Sequence, residues 1–277
     1  MSLSETALPA SLVLVGAGRM GAAMMTGWLG MGMPGASITV LDPSPQDELV
    51  AACKYRGIAL NPPADSIGPP EVLVLAIKPQ MLDAAAPALT SLIGPGTLVL
   101  SILAGKRIGD IASRLAGASA IVRAMPNTPA AIRRGISGVA ANSAVTARQR
   151  ALAQALLGAV GKVEWLDDEA LIDAVTAVSG SGPAYVFYLA ECLARAGEAA
   201  GLPADLAMRL ARATVEGSSE LMHRSPEFEP GTLRENVTSP GGTTAAALQV
   251  LMGDEGMEPL MRDAVAAALR RAGELSG

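Results

Sequence analysis

Ser11-Leu12-Val13-Leu14-Val15-Gly16-Ala17-Gly18-Arg19-Met20-Gly21 reads as a short apolar strand running into a glycine-rich turn, which Ala22–Leu29 continues as a helix. Ser37–Leu41 then forms a β-branched run that ends at Asp42, so the whole segment is a βαβ unit. The glycines fit the dinucleotide fingerprint. Gly16 makes the tight turn, Gly18 lets the backbone approach a pyrophosphate, and Gly21 allows close packing of helix on strand. Such a hexapeptide is generic by itself. Here a strand precedes it, a helix follows it, and an acidic residue stands about twenty positions on, which is the spacing expected of a ribose-binding carboxylate.

Outward from that unit, Val72–Ile77 and Thr97–Leu103 are apolar runs bounded by Pro and Gly, as parallel strands buried on both faces require. Ala120–Arg123 and Gly138–Ala141 are weaker strand candidates. The alternation predicts a Rossmann-type, doubly wound α/β domain over residues 1–165. From Asp167 onward the period changes to one near 3.6, which places a boundary near Glu164–Asp168 and predicts an all-α domain over residues 166–277. Ser179-Gly180-Ser181-Gly182-Pro183-Ala184-Tyr185 is a flexible turn entering its longest apolar helix, with Ser181 as a cap and Pro183 in the first turn, and Gly201-Leu202-Pro203 ends that helix. Tyr185, Tyr188, Leu189, Cys192, Leu193 and Ala196 share one face of it, and Glu191 pairs with Arg195. Further helices are expected over Ala204–His223, Thr243–Met252 and Glu258–Glu274.

Composition excludes several classes. The 277 residues are 50% apolar and carry a net charge of −5, with Lys and Arg scattered singly or in pairs such as Arg133-Arg134, so nucleic acid is not an expected partner. Cys53 and Cys192 belong to no paired spacing and His223 is the only histidine, which suggests neither a disulfide framework nor a metal site. Met1–Ala10 contains Glu5 and no basic residue, and no apolar stretch reaches the length of a spanning helix; a soluble cytoplasmic protein is expected. The mean hydropathy of +0.37 comes with few aromatics, and the helical half is too apolar to stand in water alone. A homodimer is expected.

Thr238-Ser239-Pro240-Gly241-Gly242-Thr243-Thr244 runs into the apolar segment Ala245–Leu251, so a hydroxyl-bearing glycine loop opens a helix. Free N–H groups, the positive end of the helix dipole and short hydroxyl side chains suit a small anion such as a carboxylate. A small acid bound near a redox dinucleotide is the reading that follows. Asp42 reads two ways: as acceptor for the ribose 2′-hydroxyl of NADH, or as a strand-end turn residue. Ser44, two residues on, offers a donor to the 2′-phosphate of NADPH, so the choice between the two cofactors stays open. His223 reads as a helix C-terminal residue in preference to an acid–base catalyst.

Gly16-Ala17-Gly18-Arg19-Met20-Gly21, Ala76-Ile77-Lys78-Pro79, Arg123-Ala124-Met125-Pro126-Asn127-Thr128-Pro129, Ser179–Tyr185 and Val237–Thr244, in this order, closely resemble the pyrroline-5-carboxylate reductase family. The resemblance implies an enzyme that reduces the cyclic imine 1-pyrroline-5-carboxylate to L-proline with NADPH or NADH. It implies cofactor contacts from Gly16, Ala17, Gly18, Arg19, Met20, Gly21, Asp42, Ser44, Ala76, Lys78, Ala104 and Asn127. Lys78 reads equally as a solvated strand terminus that offers only its backbone. Substrate contacts fall to Val237, Ser239, Gly242, Thr243 and Thr244, with Thr244 beside the imine nitrogen as proton donor or hydrogen-bond partner. The family also implies a dimer that exchanges helices, compatible with larger rings of dimers. One departure stands out: many relatives carry an adenosine-contacting asparagine after the third strand, where this chain reads Pro63-Ala64-Asp65. Two rivals are weighed. A β-hydroxyacid dehydrogenase needs a catalytic lysine after the Ser-Gly turn, and none occurs between Ser179 and Gly201. A non-catalytic dinucleotide-sensing module would leave Thr238–Thr244 as a mere helix cap.

Overall fold

The computed structural model describes residues 8–276. Eight strands form one sheet: β1 (Leu12–Val15), β2 (Ile38–Leu41), β3 (Ala59–Leu60), β4 (Val72–Leu75), β5 (Leu98–Ser101), β6 (Ala120–Met125), β7 (Gly135–Ala141) and β8 (Gly161–Trp165). Their order is β3-β2-β1-β4-β5-β6-β7-β8. The first six are parallel; β7 runs antiparallel to β6, and β8 parallel to β7. This is the doubly wound sheet that the sequence pattern predicts, with its strand order reversing between β1 and β4.

Each central strand supplies both faces of the core. Leu12, Leu14, Val72, Val74, Leu98 and Leu100 join one apolar cluster, whereas Val13, Val15, Leu73, Leu75 and Val99 join another. Period-two alternation splits a uniformly apolar run between two layers, which is why these strands carry no polar face. Helices α1 (Arg19–Gly30), α2 (Asp47–Arg56), α3 (Leu82–Thr90), α4 (Ile108–Arg114), α5 (Ala147–Gly158) and α6 (Leu171–Val175) belong to this part of the chain. Met24 and Trp28 of α1, Cys53 of α2 and Leu156 of α5 fill the first cluster, and Leu82 and Leu89 of α3 with Ile111 of α4 fill the second. Trp28 Nε1 donates to the Leu156 carbonyl at 2.8 Å, so the indole packs without leaving its one donor unpaired. Burial pushes the Cys53 thiol pKa up.

Five more helices follow: α7 (Gly182–Ala199), α8 (Ala204–Arg224), α9 (Pro230–Asn236), α10 (Thr243–Leu251) and α11 (Met257–Ser276). Two compact units emerge, one running up to Gly180 and reclaiming the chain from Leu269 onward, the other Ser181–Ala268. The packing break therefore lies beyond the composition shift at Glu164–Asp168. Ile172 and Ala177 are fully buried, and Glu169 and Asp173 pair with Arg123 of β6, so α6 belongs physically to the sheet. In the helical unit, α7 folds back on α8 through Gly201, with the small residues Ala194, Ala207 and Ala211 buried. Its large apolar side chains are left outside: Phe187 is 65% exposed, Leu260 70% and Val250 75%. The i,i+4 pair forms as expected, Arg195 Nη2 donating to Glu191 Oε2 at 3.1 Å. Among the described residues no helix is long and apolar enough to cross a membrane.

Candidate active site

Parallel pairing places the loops after β1, β2, β4, β5 and β6 at one carboxyl edge of the sheet. The residues expected to hold a dinucleotide all lie there. Gly16 follows β1 with φ +87, and a Cβ on it would sit 2.8 Å from the Ala76 carbonyl oxygen, so the loops after β1 and β4 touch at the switch point. A Cβ on Gly21 would overlap the Gly16 carbonyl. Gly18 differs: a Cβ there would meet nothing within 4 Å. The protein's own packing gives no reason for glycine at 18. Gly18 is the N-cap of α1, an end with no side-chain cap and no acidic residue in the first turn, so the first N–H groups and the positive dipole end are left for an anion. This arrangement fits a pyrophosphate. Arg19 is exposed and Met20 half-buried at the same turn.

Asp42 ties this loop down. Its Oδ2 accepts from the Ala17 N–H and its Oδ1 from the Ser44 N–H, at 2.8 and 2.9 Å. Each carboxylate oxygen has a further lone pair, so the ribose reading and the turn reading are compatible in one group. A residue that sequence reasoning missed completes the tie. Asn61, directly after β3 with φ 47, accepts from the Asp42 N–H and donates to the Asp42 carbonyl, at 2.9 and 2.7 Å. The stretch Pro63-Ala64-Asp65, read from sequence as following the third strand, instead enters the 3-10 turn Ala64–Ser66. An asparagine immediately after an apolar pair was the available signal.

Ala76 is half-buried at the end of β4, its N–H bonded to the Val15 carbonyl, and Lys78 is exposed at the start of the turn Pro79–Met81. Ala104 is exposed in the loop after β5. Asn127 is only 8% exposed, and both ends of its amide are engaged: Oδ1 accepts from the Ile136 N–H at 2.9 Å and Nδ2 donates to the Ser179 carbonyl at 3.1 Å. Its side chain is thus a brace between the loop after β6 and the Ser-Gly turn. That turn, Thr176–Gly180, is π-helical. Ser181 does not cap α7: its backbone is already helical and its side chain makes no cap bond, because the π turn leads into the helix without an extended residue. His223 is exposed in the last turn of α8.

The helical unit carries a candidate anion site of its own. Gly241 takes φ +70, Gly242 is an extended N-cap at φ −80 and ψ 173, and α10 starts at Thr243 with no side chain capping it. The loop closes on itself through the Gly242 N–H and the Ser239 carbonyl at 3.0 Å. Thr238 Oγ1 donates back to the Arg234 carbonyl at 2.6 Å, whereas Val237, Ser239 and Thr243 are exposed and Thr244 is half-buried. First-turn N–H groups at Thr243 and Thr244, beside two threonine hydroxyls, form a carboxylate-sized donor set.

Both parts of the chain are similar to known proteins. Residues 169–275 match the family model described as pyrroline-5-carboxylate reductase dimerisation, and residues 11–105 match that described as NADP oxidoreductase coenzyme F420-dependent. A pyrroline-5-carboxylate reductase of Pseudomonas aeruginosa is 42% identical over 96% of both chains. The solved structure of a pyrroline-5-carboxylate reductase from Coxiella burnetii superposes with a TM-score of 0.89 at 34% identity, covering 97% of this chain and 99% of that one. The Plasmodium falciparum pyrroline carboxylate reductase, solved with NADP bound, gives 0.77 at 26% identity, covering 97% and 98%.

Proposed function

The chain belongs to the pyrroline-5-carboxylate reductase family, and on that premise we propose how its own residues carry the reduction of 1-pyrroline-5-carboxylate to L-proline, the last step of proline biosynthesis. NADPH or NADH, when bound, supplies the hydride. The glycine cradle at Gly16, Gly18 and Gly21 with the first turn of α1 holds the pyrophosphate, Asp42 and Ser44 face the adenosine ribose, and Ala76, Lys78, Ala104 and Asn127 border the nicotinamide half. Arg19 and Met20 offer backbone N–H groups to the phosphates. What supports this reading is an open Gly18 cradle in a chain alike over nearly its whole length to reductases of this imine.

The substrate carboxylate rests on Ser239 and on the N–H groups of Gly242, Thr243 and Thr244, with Val237 against the ring. A protonated imine carbon is already electrophilic, so the site has to orient it and hold one proton on nitrogen. Thr244 Oγ1 does the second task, as proton donor or as hydrogen-bond partner of the imine nitrogen. Two copies form a homodimer that exchanges helices, each site joining the nucleotide unit of one chain to helices of its partner; the enzyme is cytoplasmic. The apolar side chains outside α7, α10 and α11 support that assembly.

Absorbance at 340 nm, followed with 1-pyrroline-5-carboxylate and either cofactor, tests the reading. Oxidation is expected with at least one, and none by folded protein would overturn the assignment. In the same assay Thr244→Ala should lower kcat by about 10²–10⁴-fold if its hydroxyl carries the proton chemistry. Unchanged turnover would remove Thr244 from the mechanism.

A further inference from the structure

The loop that follows β5 carries Ala104 and is held by side chains that no motif connects. Arg123 of β6 is only 3% exposed; its Nη1 donates to Glu169 Oε1 at 3.0 Å, and its Nη2 lies 3.7 Å from Asp173 Oδ1. The same Glu169 oxygen accepts from the backbone N–H of Ile108, the first residue of α4, at 2.8 Å. Asp173 Oδ1 in turn accepts from Ser276 Oγ, in the last turn of α11, at 3.0 Å. That last turn also presses on the loop directly. Gly105 has φ +71, and a Cβ on it would sit 2.6 Å from the Leu275 carbonyl oxygen.

One buried guanidinium thus links the strand, the helix start that ends the loop, and the end of the chain. A loop at a sheet edge is ordinarily the most mobile part of a nucleotide-binding unit. Here its two ends are fixed independently: β5 pairs with β4 and β6 on one side, and Glu169 grips Ile108 on the other. We propose that Glu169, acting through Ile108 and Arg123, is the positioning residue that sets the Ala104 loop against the nicotinamide. The inference rests on reading this edge as the dinucleotide site.

Hydrogen exchange and steady-state kinetics on Glu169→Ala and Glu169→Gln test it together. Glutamine keeps an acceptor for the Ile108 N–H, and alanine does not. In Glu169→Ala the amides of residues 103–108 should exchange about tenfold faster or more while those of β1 and β4 keep their protection. The same variant should raise KM for NADPH and lower kcat about tenfold each, leaving KM for the imine within about twofold, because the loop and not the carboxylate site has moved. Glu169→Gln should restore most of both. Unchanged exchange at 103–108, or deprotection spread equally over β1 and β4, would overturn the positioning role. Breaking a buried ion pair is costly, so Ser276→Ala serves as the milder variant. It is expected to loosen the same amides by a smaller factor, and no change there, with Glu169→Ala unfolded, also overturns the proposal. Wild-type protein that leaves NADPH unoxidised would sink the functional reading alone, since the exchange arm still decides the clamp.

Discussion

Gly16 and Gly18 are the same residue type two positions apart in opposite surroundings. A side chain on Gly16 would need a left-handed backbone and would meet the Ala76 main chain, whereas one on Gly18 would enter open space. Gly16→Ala should therefore cost about 2–4 kcal/mol in denaturant unfolding. Gly18→Ala should unfold at the wild-type midpoint yet bind NADPH more weakly, as read by the quench of protein fluorescence. Weak binding accompanied by lost stability at Gly18 would contradict the ligand-only explanation. The glycine pattern was readable because backbone geometry restricts the residue type locally. Asn61 and Glu169 were not, since each acts on a partner distant in sequence through a side chain that many local contexts tolerate.

At the scale of elements, β1, β4 and β5 are legible as apolar runs because strands covered on both faces have no polar side to interrupt them. β3 and β8 escape that signal. The first is two residues long, and the second, Gly161–Trp165, alternates exposed Lys162 and Glu164 with half-buried neighbours at the sheet edge. The edge formed by β2 and β3 also carries a tie, since Asp42 binds the turn after β1 through Ala17 while Asn61 fixes the Asp42 backbone. Removing the carboxylate should therefore disturb the turn proposed to hold phosphate as well as the proposed ribose contact. Asp42→Ala is expected to weaken both cofactors, and NADH by about tenfold more than NADPH, because only a free 2′-hydroxyl rewards the lost acceptor. Isothermal titration with each nucleotide measures this; equal losses would leave Asp42 as a turn residue only.

For the whole molecule the decisive feature is what the helical unit fails to bury. Phe187 and Tyr188 on α7, Val250 on α10 and Leu260 on α11 are each more than half exposed, and a surface of that kind marks an interface. Sedimentation equilibrium is expected to return twice the 28.0 kDa of one chain. Phe187→Asp should shift the mass toward a single chain and reduce turnover with it. A variant that stays dimeric would move the interface away from that face of α7.

The order of apolar runs, the glycine fingerprint and the hydroxyl-rich start of α10 were determined by the sequence alone, because strand burial, positive φ and orphan N–H groups restrict residue type within a few positions. Only the tertiary structure decided that α6 packs with the sheet past the composition shift, that the last turn of α11 returns to the loop at Gly105, and that Asn127 spends its amide on Ile136 and Ser179. Those choices depend on which distant groups meet once the chain has closed. Hydrogen bonds and ion pairs across such separations leave no period in the sequence by which to read them.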